Sequence, residues 1–302
     1  MLPALAAPGP RDYLWGDNGI AAMPSTTLES RAFIAVSGEE AEDFLQGIIT
    51  TDVPSIGLGE AYAGALLTPQ GKIMFEFMIA RTEDGFLIET DAASGDALAK
   101  RLTLYRLRAK VVIAKRDEAI TALTWDEAAP QGAFRDMRFA KAGAELFRTP
   151  GAAGTAPLNA YTTLRIMHGI SGGAEDGAAT DFFPHDLLMD RNGGLNFKKG
   201  CYVGQEVVSR MQHRSTARRR LVTVSADAAL PAAGTSVSIG GREIGTLRIV
   251  EGNIGLAVVR IDKAGETMAA GGTISAGDVA VSLALPAWSG LEFPTAADEA
   301  AS

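Results

Sequence analysis

The pattern of apolar and polar positions changes character along the chain. Over residues 31–114, runs with the alternation of strands are separated by tight turns and by two helical segments. Residues 118–170 show a weaker version of the same mixture. Beyond residue 217, short alternating strands are separated by Gly-Gly and Gly-Asn turns, which is typical of a small β-barrel. The pattern therefore predicts an α+β fold, with two α+β units followed by a C-terminal β-barrel.

Individual elements follow from the period of the apolar residues. Strands are predicted at 31–36, 85–91 and 110–114, and a hairpin with a Pro-Gln-Gly turn at 61–80. Helices are predicted over 37–52, about 94–107 and about 202–213, and residues 159–170 (NAYTTLRIMHGI) are also helical in pattern. The first of these has Ser37 and Glu40 in the positions of a capping box.

The same changes of pattern give the predicted domain boundaries. These are a flexible lead-in at 1–25, a first α+β unit at 26–116, a second at 117–216, a barrel at 217–288 and an acidic tail at 289–302.

Composition excludes several classes of function. Hydrophobic residues make up 47% of the chain and charged residues 21%, which is enough apolar material for a buried core. The formal net charge of −8 argues against a protein that coats nucleic acid. No apolar run approaches the roughly 18 residues expected of a membrane span. One cysteine cannot form an intramolecular disulfide framework, and a free thiol suits a reducing compartment.

That cysteine, Cys201, stands where the third predicted helix begins. Lys198 and Lys199 precede it, and a helix start with nearby cations favours the reactive thiolate form. Gly200 and Gly204 allow a ligand to approach the backbone closely. Single cysteines are also among the most often buried residues. The local sequence therefore leaves two interpretations, a thiol used in chemistry or a packing residue.

Other chemistries have weaker support. The histidines His168, His185 and His213 lack the paired spacing of metal ligands, so no metal site is predicted. No phosphate-binding glycine motif is present.

Two groups of arginines are candidate anion sites. Arg106 and Arg108 alternate with apolar residues in LYRLRAKV and could reach a cleft, although a helix end also favours cations there. Arg214 and the run 218–220 could hold a carboxylate, a phosphate or RNA, and a solvated face is the alternative.

The residues around Cys201 also resemble a known signature. Seven positions match the pattern K-G-C-Y-x-G-Q-E, namely Lys199, Gly200, Cys201, Tyr202, Gly204, Gln205 and Glu206. This pattern resembles that of the YgfZ family, folate-binding iron–sulfur assembly factors related to the glycine-cleavage T-protein. The segments FLQGIITTDV, LLTPQGKI, LYRLRAKV, FFPHDLLMD and GLAVVR stand in the family's order, so the resemblance covers roughly residues 28–285.

The resemblance implies a fold, a cofactor and partners. The three modules would surround a central cavity that holds tetrahydrofolate or a derivative. The protein would assist assembly or repair of iron–sulfur clusters through transient contacts with client enzymes or assembly proteins, and its activity would depend on Cys201. Glu206 would hold the signature loop by hydrogen bonds. The expected folate contacts are Glu76, Arg106, Arg108 and Arg214.

Two alternatives stay open beside this interpretation. T-proteins carry adjacent aspartates where this chain aligns Phe75 and Glu76, so a folate-dependent aminomethyl-type transferase lacks one acid. A non-enzymatic assembly factor is therefore favoured. A tRNA-modification-associated factor is the second alternative, supported by the arginine run and opposed by the net charge. The first residues match neither a secretory signal nor a transit peptide, which gives the expectation of a cytoplasmic protein.

Overall fold

A nine-stranded sheet forms the larger part of the molecule. The computed structural model describes residues 25–177, 180–214 and 217–294, and most of the predicted lead-in and acidic tail lies outside these ranges. The strands of the sheet are β1 (Ser25–Leu28), β2 (Arg31–Ser37), β3 (Glu60–Leu67), β4 (Ile73–Thr82), β5 (Gly85–Asp91), β6 (Val112–Lys115), β7 (Thr121–Trp125), β8 (Phe134–Asp136) and β9 (Leu146–Pro150).

The order of the strands joins the two predicted α+β units into this one sheet. The order is β1-β7-β9-β8-β3-β4-β5-β2-β6, and the first four strands form one half and the last five the other. Neighbours are antiparallel except β3 and β8, which are parallel and pair over only two positions. The two halves of the sheet are therefore joined by a strand pairing of only two positions.

Seven α-helices lie within the described residues. They are α1 (Ala41–Gln46), α2 (Ala92–Arg106), α3 (Met137–Lys141), α4 (Leu158–His168), α5 (Met189–Asn192), α6 (Gln205–His213) and α7 (Ile261–Ala269). None of them is long and apolar enough to cross a membrane. Asp91 caps α2 by accepting a hydrogen bond from the backbone N–H of Ser94 at 2.9 Å.

The first helix is much shorter than the sequence predicts. α1 covers six residues, and Ile49 forms an isolated β-bridge with β3 in place of a helical turn. Ser37 is the last residue of β2, and the Glu40 carboxylate accepts a hydrogen bond from the backbone N–H of Lys110. The prediction of a capped helix over 37–52 is therefore wrong, because contacts with the sheet replace the helical hydrogen bonds.

Each half of the sheet has its own apolar core. Strands β2, β4 and β5 pack with α1 and α2 around Ile34, Leu45 and Leu98. Strands β7 and β9 pack with α3 and α4 around Trp125 and Phe139. Burial of these apolar side chains contributes most of the free energy that holds the helices against the sheet.

A closed six-stranded barrel follows the sheet. Its strands are β10 (Arg219–Ser225), β11 (Ser236–Ile239), β12 (Arg242–Glu251), β13 (Ile254–Arg260), β14 (Ile274–Ala276) and β15 (Val279–Ala284). β10 pairs with both β13 and β15, which closes the barrel. The predicted fold class is confirmed. The sequence pattern missed α7, a nine-residue helix with Ala264 and Gly265 on its buried face.

Ion pairs attach the barrel to the segment that leads into the signature. The Arg220 guanidinium donates to the Asp190 carboxylate at 2.8 Å and to the carbonyl of His185 at 2.7 Å. Arg219 donates to Asp186 at 2.6 Å. Residues 182–202 are thereby held between the sheet and the barrel.

Candidate functional site

Cys201 lies in a loop that precedes α6, and its side chain is exposed. The helix begins at Gln205, later than the sequence predicts, because Gly204 adopts a left-handed conformation (φ +79°) at its N-cap. Lys198 and Gly200 are also exposed. The thiol is therefore accessible from solvent, which excludes the interpretation of Cys201 as a buried packing residue.

Two buried side chains beside the cysteine anchor this loop. The Lys199 ammonium donates to the carbonyls of Ile49 at 2.7 Å and Thr51 at 2.5 Å. The Tyr202 ring lies 5.3 Å from that ammonium, and its hydroxyl donates to a carbonyl of the same loop at 3.2 Å. Burial lowers the pKa of Lys199 to about 8. Lys199 thus fixes the loop to the sheet, and its charge faces backbone carbonyls.

Two glycines allow the loop to contact the β3–β4 turn closely. A Cβ on Gly204 would lie 2.5 Å from the carbonyl oxygen of Thr68. A Cβ on Gly71, in the turn, would lie 2.9 Å from the side chain of Val207. Gly200 differs, since a Cβ there would meet nothing within 4 Å. The structure therefore brings together the TPQG turn and the signature, a contact that the sequence did not reveal.

Glu206 does not hold the loop in this structure. Its exposed carboxylate pairs with Arg210 at 2.6 Å, one turn further along α6. Such a pair on a helix surface contributes little stability. The neighbouring Gln205 is half-buried at the helix start.

A charged cleft lies where the two halves of the sheet meet. The space inside it that a water-sized sphere can occupy is about 30 Å³, and it is lined by Arg31, Glu76, Phe77, Met78, Asp91, Arg138, Arg148, Tyr161, Gly172, Gly173 and Glu175. Among the predicted site residues, Glu76 is the one that lines it. No pattern in the sequence marked the other charged groups, because they come from distant segments of the chain.

Glu76 is the unusual group in the cleft. Its Oε2 atom is buried and has no hydrogen-bond partner among the described residues. Burial raises the pKa of Glu76 to about 7 against the attraction of Arg138, and the charges of Asp176 and Glu175 add to the rise. A carboxyl group with such a pKa can bind or release a proton near neutral pH.

The cations that line the cleft are paired with buried acids. The Glu89 carboxylate accepts hydrogen bonds from Arg148 at 2.7 and 3.0 Å and from Arg31 at 3.0 Å. Despite burial, the Arg148 and Arg31 charges lower the pKa of Glu89 to about 2. Arg148 and Arg138 also pair with Asp136, at 3.2 and 2.7 Å. These ion pairs connect strands of both halves.

Three arginines predicted to contact folate are not among the residues that line the cleft. Arg106, at the end of α2, donates to the carbonyl of Val111 at 3.2 Å. Arg108 is exposed in the loop that follows α2, and Arg214 is the exposed C-cap of α6. Helix-end positions carry these side chains to the surface.

The histidines do not form a metal site. Across residues 25–177, 180–214 and 217–294, no three His, Cys, Asp or Glu side chains come together as metal ligands. His185 is fully buried against Phe197, with ring centroids 5.6 Å apart, and burial lowers its pKa to about 4.

Comparisons with known proteins place the chain in a family. Residues 218–291 match the family model described as the C-terminal β-barrel domain of CAF17. The mitochondrial iron–sulfur cluster assembly factor IBA57 homolog of Pyricularia oryzae is 30% identical in an alignment of 280 positions, gaps included, that covers 78% of this chain and 72% of the relative. This chain belongs to the IBA57 family. Human IBA57 is 29% identical, over 80% of this chain and 79% of its own.

Membership of the IBA57 family makes one expectation from the sequence more specific and overturns another. The predicted resemblance to YgfZ proteins is right in kind, and the relatives narrow it to the IBA57 family. The relatives are named as mitochondrial proteins, so the expectation of a cytoplasmic protein is wrong.

A solved structure shares the fold. The glycine cleavage system aminomethyltransferase T of Bartonella henselae superposes with a TM-score of 0.64 over 88% of this chain and 86% of its own. Its sequence is 16% identical, so this likeness shows the fold alone.

Proposed function

We propose that this protein assists assembly or repair of iron–sulfur clusters, that its activity requires Cys201, and that it binds tetrahydrofolate or a derivative in the cleft beside Glu76. The names of the IBA57 relatives support the iron–sulfur role. The observation that carries the proposal is the exposed thiol on a loop that buried Lys199 and Tyr202 anchor. An anchored loop presents the thiol in one place, so little ordering is needed when a partner arrives.

Cys201 would act with ligands from another molecule. The thiolate is the form that binds iron and attacks sulfur. Iron–sulfur clusters are held by several ligands, usually four cysteines, whereas this chain has one cysteine. Cys201 would therefore supply a single ligand or exchange thiols, while a transient partner supplies the remaining ligands.

The cleft has the chemistry that a folate requires. The space in it that a water-sized sphere can occupy is about 30 Å³, well below the roughly 300–1,000 Å³ of typical ligand pockets, so folate binding would require the cleft to widen. Phe77, Met78 and Tyr161 are the large apolar residues of its lining, and all three are buried, so a ring system would reach them only in a wider cleft. The unpartnered oxygen of Glu76 is an acceptor that an N–H group of a pterin ring would satisfy. When bound, tetrahydrofolate would supply a carrier for one-carbon units.

Calorimetric titration tests the folate part of the proposal. Tetrahydrofolate is added to the wild-type protein, to Glu76→Gln and to Cys201→Ala. We expect binding by the wild type and Cys201→Ala, and affinity at least about tenfold weaker in Glu76→Gln, which loses the carboxylate acceptor. A wild-type protein that takes up no tetrahydrofolate would contradict folate binding.

Complementation tests the cysteine part. Cys201→Ala should keep the wild-type melting temperature, because the side chain is exposed, and should fail to restore iron–sulfur enzyme activity in cells that lack the protein. Lys141→Ala changes an exposed residue on α3, outside the signature loop, and serves as the control that restores activity. Full rescue by Cys201→Ala would refute the requirement for the thiol.

The state of Glu76 favours one second candidate, a folate-dependent transferase. A buried carboxyl with a pKa of about 7 suits general acid–base chemistry, although Phe75 replaces the adjacent acid of T-proteins. An assay with tetrahydrofolate and an aminomethyl donor decides between the two. Turnover that Glu76→Gln abolishes would establish the transferase, and no turnover would exclude it.

A further inference from the structure

A basic and apolar surface lies at the end of α2 and the start of β6. Residues 97–116 contain seven lysines or arginines and no acid, in a chain whose net charge is −8. Leu104, Leu107 and Val112 are 59%, 86% and 59% exposed, and they are half of the large exposed apolar residues in the described parts of the chain. The α2–β6 surface is defined here by Lys100, Arg101, Leu104, Leu107, Arg108 and Val112.

Local hydrogen bonds hold the two parts of this surface together. The Arg106 guanidinium donates to the carbonyl of Val111, immediately before β6, and the backbone N–H of Ala109 donates to the carbonyl of Arg106 at 2.8 Å. The end of α2 is therefore tied to the residue before β6, which brings the exposed residues of both elements into the same region of the surface.

Part of the positive charge on this segment is not neutralised. Lys110, Lys115 and Arg116 pair with Glu39, Asp96 and Glu118. Lys100, Arg101 and Arg108 have no carboxylate partner among the residues that the structure describes. Three cations thus flank the exposed leucines without an ion-pair partner in the described part of the chain.

Leu107 adopts a backbone conformation that is unfavourable for leucine. It ends α2 with φ 48° and ψ −107°, a region that bulky L-residues rarely occupy. Glycine is the usual residue where a helix ends with positive φ. The side chain is 86% exposed, so intramolecular packing does not offset the strain. A contact outside the chain would explain why leucine occupies this position.

The exposed edge of the sheet borders the same patch. β6 is the last strand in the sheet order and pairs only with β2 among the described strands. Its residues are mostly exposed. Edge strands next to apolar side chains are frequent sites of protein association.

We propose that the α2–β6 surface docks an acidic segment of a partner protein. Apolar side chains of the partner cover Leu104, Leu107 and Val112, and its carboxylates pair with the three flanking cations, as in interfaces with an apolar centre and a charged rim. The inference goes beyond the proposed function, because it needs neither folate nor Cys201.

The type of apolar side chain favours a protein over RNA or a membrane. Single-stranded RNA sites use aromatic rings as stacking platforms, and the exposed apolar residues here are aliphatic. Interfacial membrane helices insert one broad apolar face, whereas α2 buries Leu98 and Leu102 in the core of its own domain.

A defined probe tests the proposal. Fluorescence anisotropy measures binding of a short labelled helical peptide built from glutamate and leucine pairs, alongside versions with glutamine for glutamate and serine for leucine. Single-stranded RNA and phosphatidylglycerol vesicles are the competing probes. We expect the wild type to bind the glutamate–leucine peptide and to bind both substituted peptides at least about tenfold more weakly.

Variants connect that binding to the α2–β6 surface. Leu107→Gly and Arg108→Ser should each weaken peptide binding at least about tenfold. Leu58→Ser and Arg242→Ser change exposed residues outside the α2–β6 surface, and they should leave peptide binding unchanged. Leu107→Gly should also keep or raise the melting temperature, because glycine relieves the strained φ.

Other results would overturn the proposal. Tighter binding of RNA or vesicles than of the peptide, sensitive to Leu107→Gly, would assign the surface to a different class of partner. Absence of binding to every probe would refute a docking surface. A lower melting temperature in Leu107→Gly would mean that the leucine serves the fold.

Discussion

At the scale of single residues, burial gives two ionisable groups opposite tasks. Lys199 keeps its ammonium against the carbonyls of Ile49 and Thr51, where it holds the loop of Cys201. Glu76 has a carboxylate oxygen with no hydrogen-bond partner in residues 25–177, 180–214 and 217–294, where it is available to a ligand or a proton. Burying a polar group is unfavourable unless it is hydrogen-bonded, so the satisfied lysine is a structural anchor and the unsatisfied glutamate indicates a binding site.

Replacing the anchor should destabilise the protein. Lys199→Met leaves the carbonyls of Ile49 and Thr51 without a donor, which should lower the free energy of unfolding by about 1–3 kcal/mol. Lys198→Met, at an exposed neighbour, should change it by less than about 0.5 kcal/mol. Urea denaturation of both variants measures the difference, and equal stabilities would refute the anchoring role.

The raised pKa of Glu76 predicts a dependence of stability on pH. The group goes from an ordinary pKa of 4.5 in the unfolded chain to about 7 in the folded one, so the folded state binds more protons between these values. Its contribution is fully present below about pH 4.5 and is lost as pH rises through 7, up to about 3 kcal/mol.

Comparison with a variant isolates this contribution. Glu76→Gln cannot titrate, so its free energy of unfolding should fall less than that of the wild type between acidic and neutral pH. Glu83→Gln, an exposed glutamate, is the control. Parallel pH profiles for the wild type and Glu76→Gln would be inconsistent with a raised pKa.

At the scale of elements, the β3–β4 hairpin and the signature loop form one unit. The turn of the hairpin meets the start of α6 through Gly71 and Gly204, where a side chain on either glycine would collide with the opposite element. Lys199 reaches the segment that precedes β3. The position of Cys201 is therefore determined by the first part of the chain as much as by its own loop.

This contact makes the two signature glycines unequal. Gly204→Ala combines a left-handed φ with a Cβ at 2.5 Å from Thr68, and should lower the free energy of unfolding by about 1–3 kcal/mol. Gly200→Ala meets no neighbour and should be nearly neutral. Thermal melts of both variants measure the contrast, and a neutral Gly204→Ala would mean that the loop and turn do not pack closely.

At the scale of the whole molecule, charge bridges the two halves of the sheet. Their direct pairing is two positions long, between β3 and β8. Glu89 on β5 forms an ion pair with Arg148 on β9, and Arg148 forms a second ion pair with Asp136 on β8. The charged cleft is thus also the joint between the halves, so a ligand bound there would contact both.

Removing the central acid should weaken this joint. Glu89→Gln leaves Arg148 and Arg31 buried with less compensating charge, which should cost about 3–5 kcal/mol of unfolding free energy. Glu145→Gln breaks the exposed pair with Arg135 and should cost less than about 1 kcal/mol. Equal losses of unfolding free energy in the two variants, measured by denaturant unfolding, would show that the buried ion pairs do not stabilise the junction between the halves.

The sequence by itself determined the features that repeat locally. The 61–80 hairpin and the change to short barrel strands beyond residue 217 are predicted in place, because strand alternation and turn glycines are readable over a few neighbouring residues. Glu76 was found through the family resemblance and lies in the cleft.

Only the tertiary structure decided how these parts meet. The single nine-stranded sheet, the ion pairs around Glu89 and the bond from Lys199 to Ile49 join residues far apart in the chain. Arg108 likewise changed from an expected folate contact to part of an exposed surface. Long-range contacts leave no periodic trace in a sequence, since each partner looks like an ordinary charged residue until folding brings the other one to it.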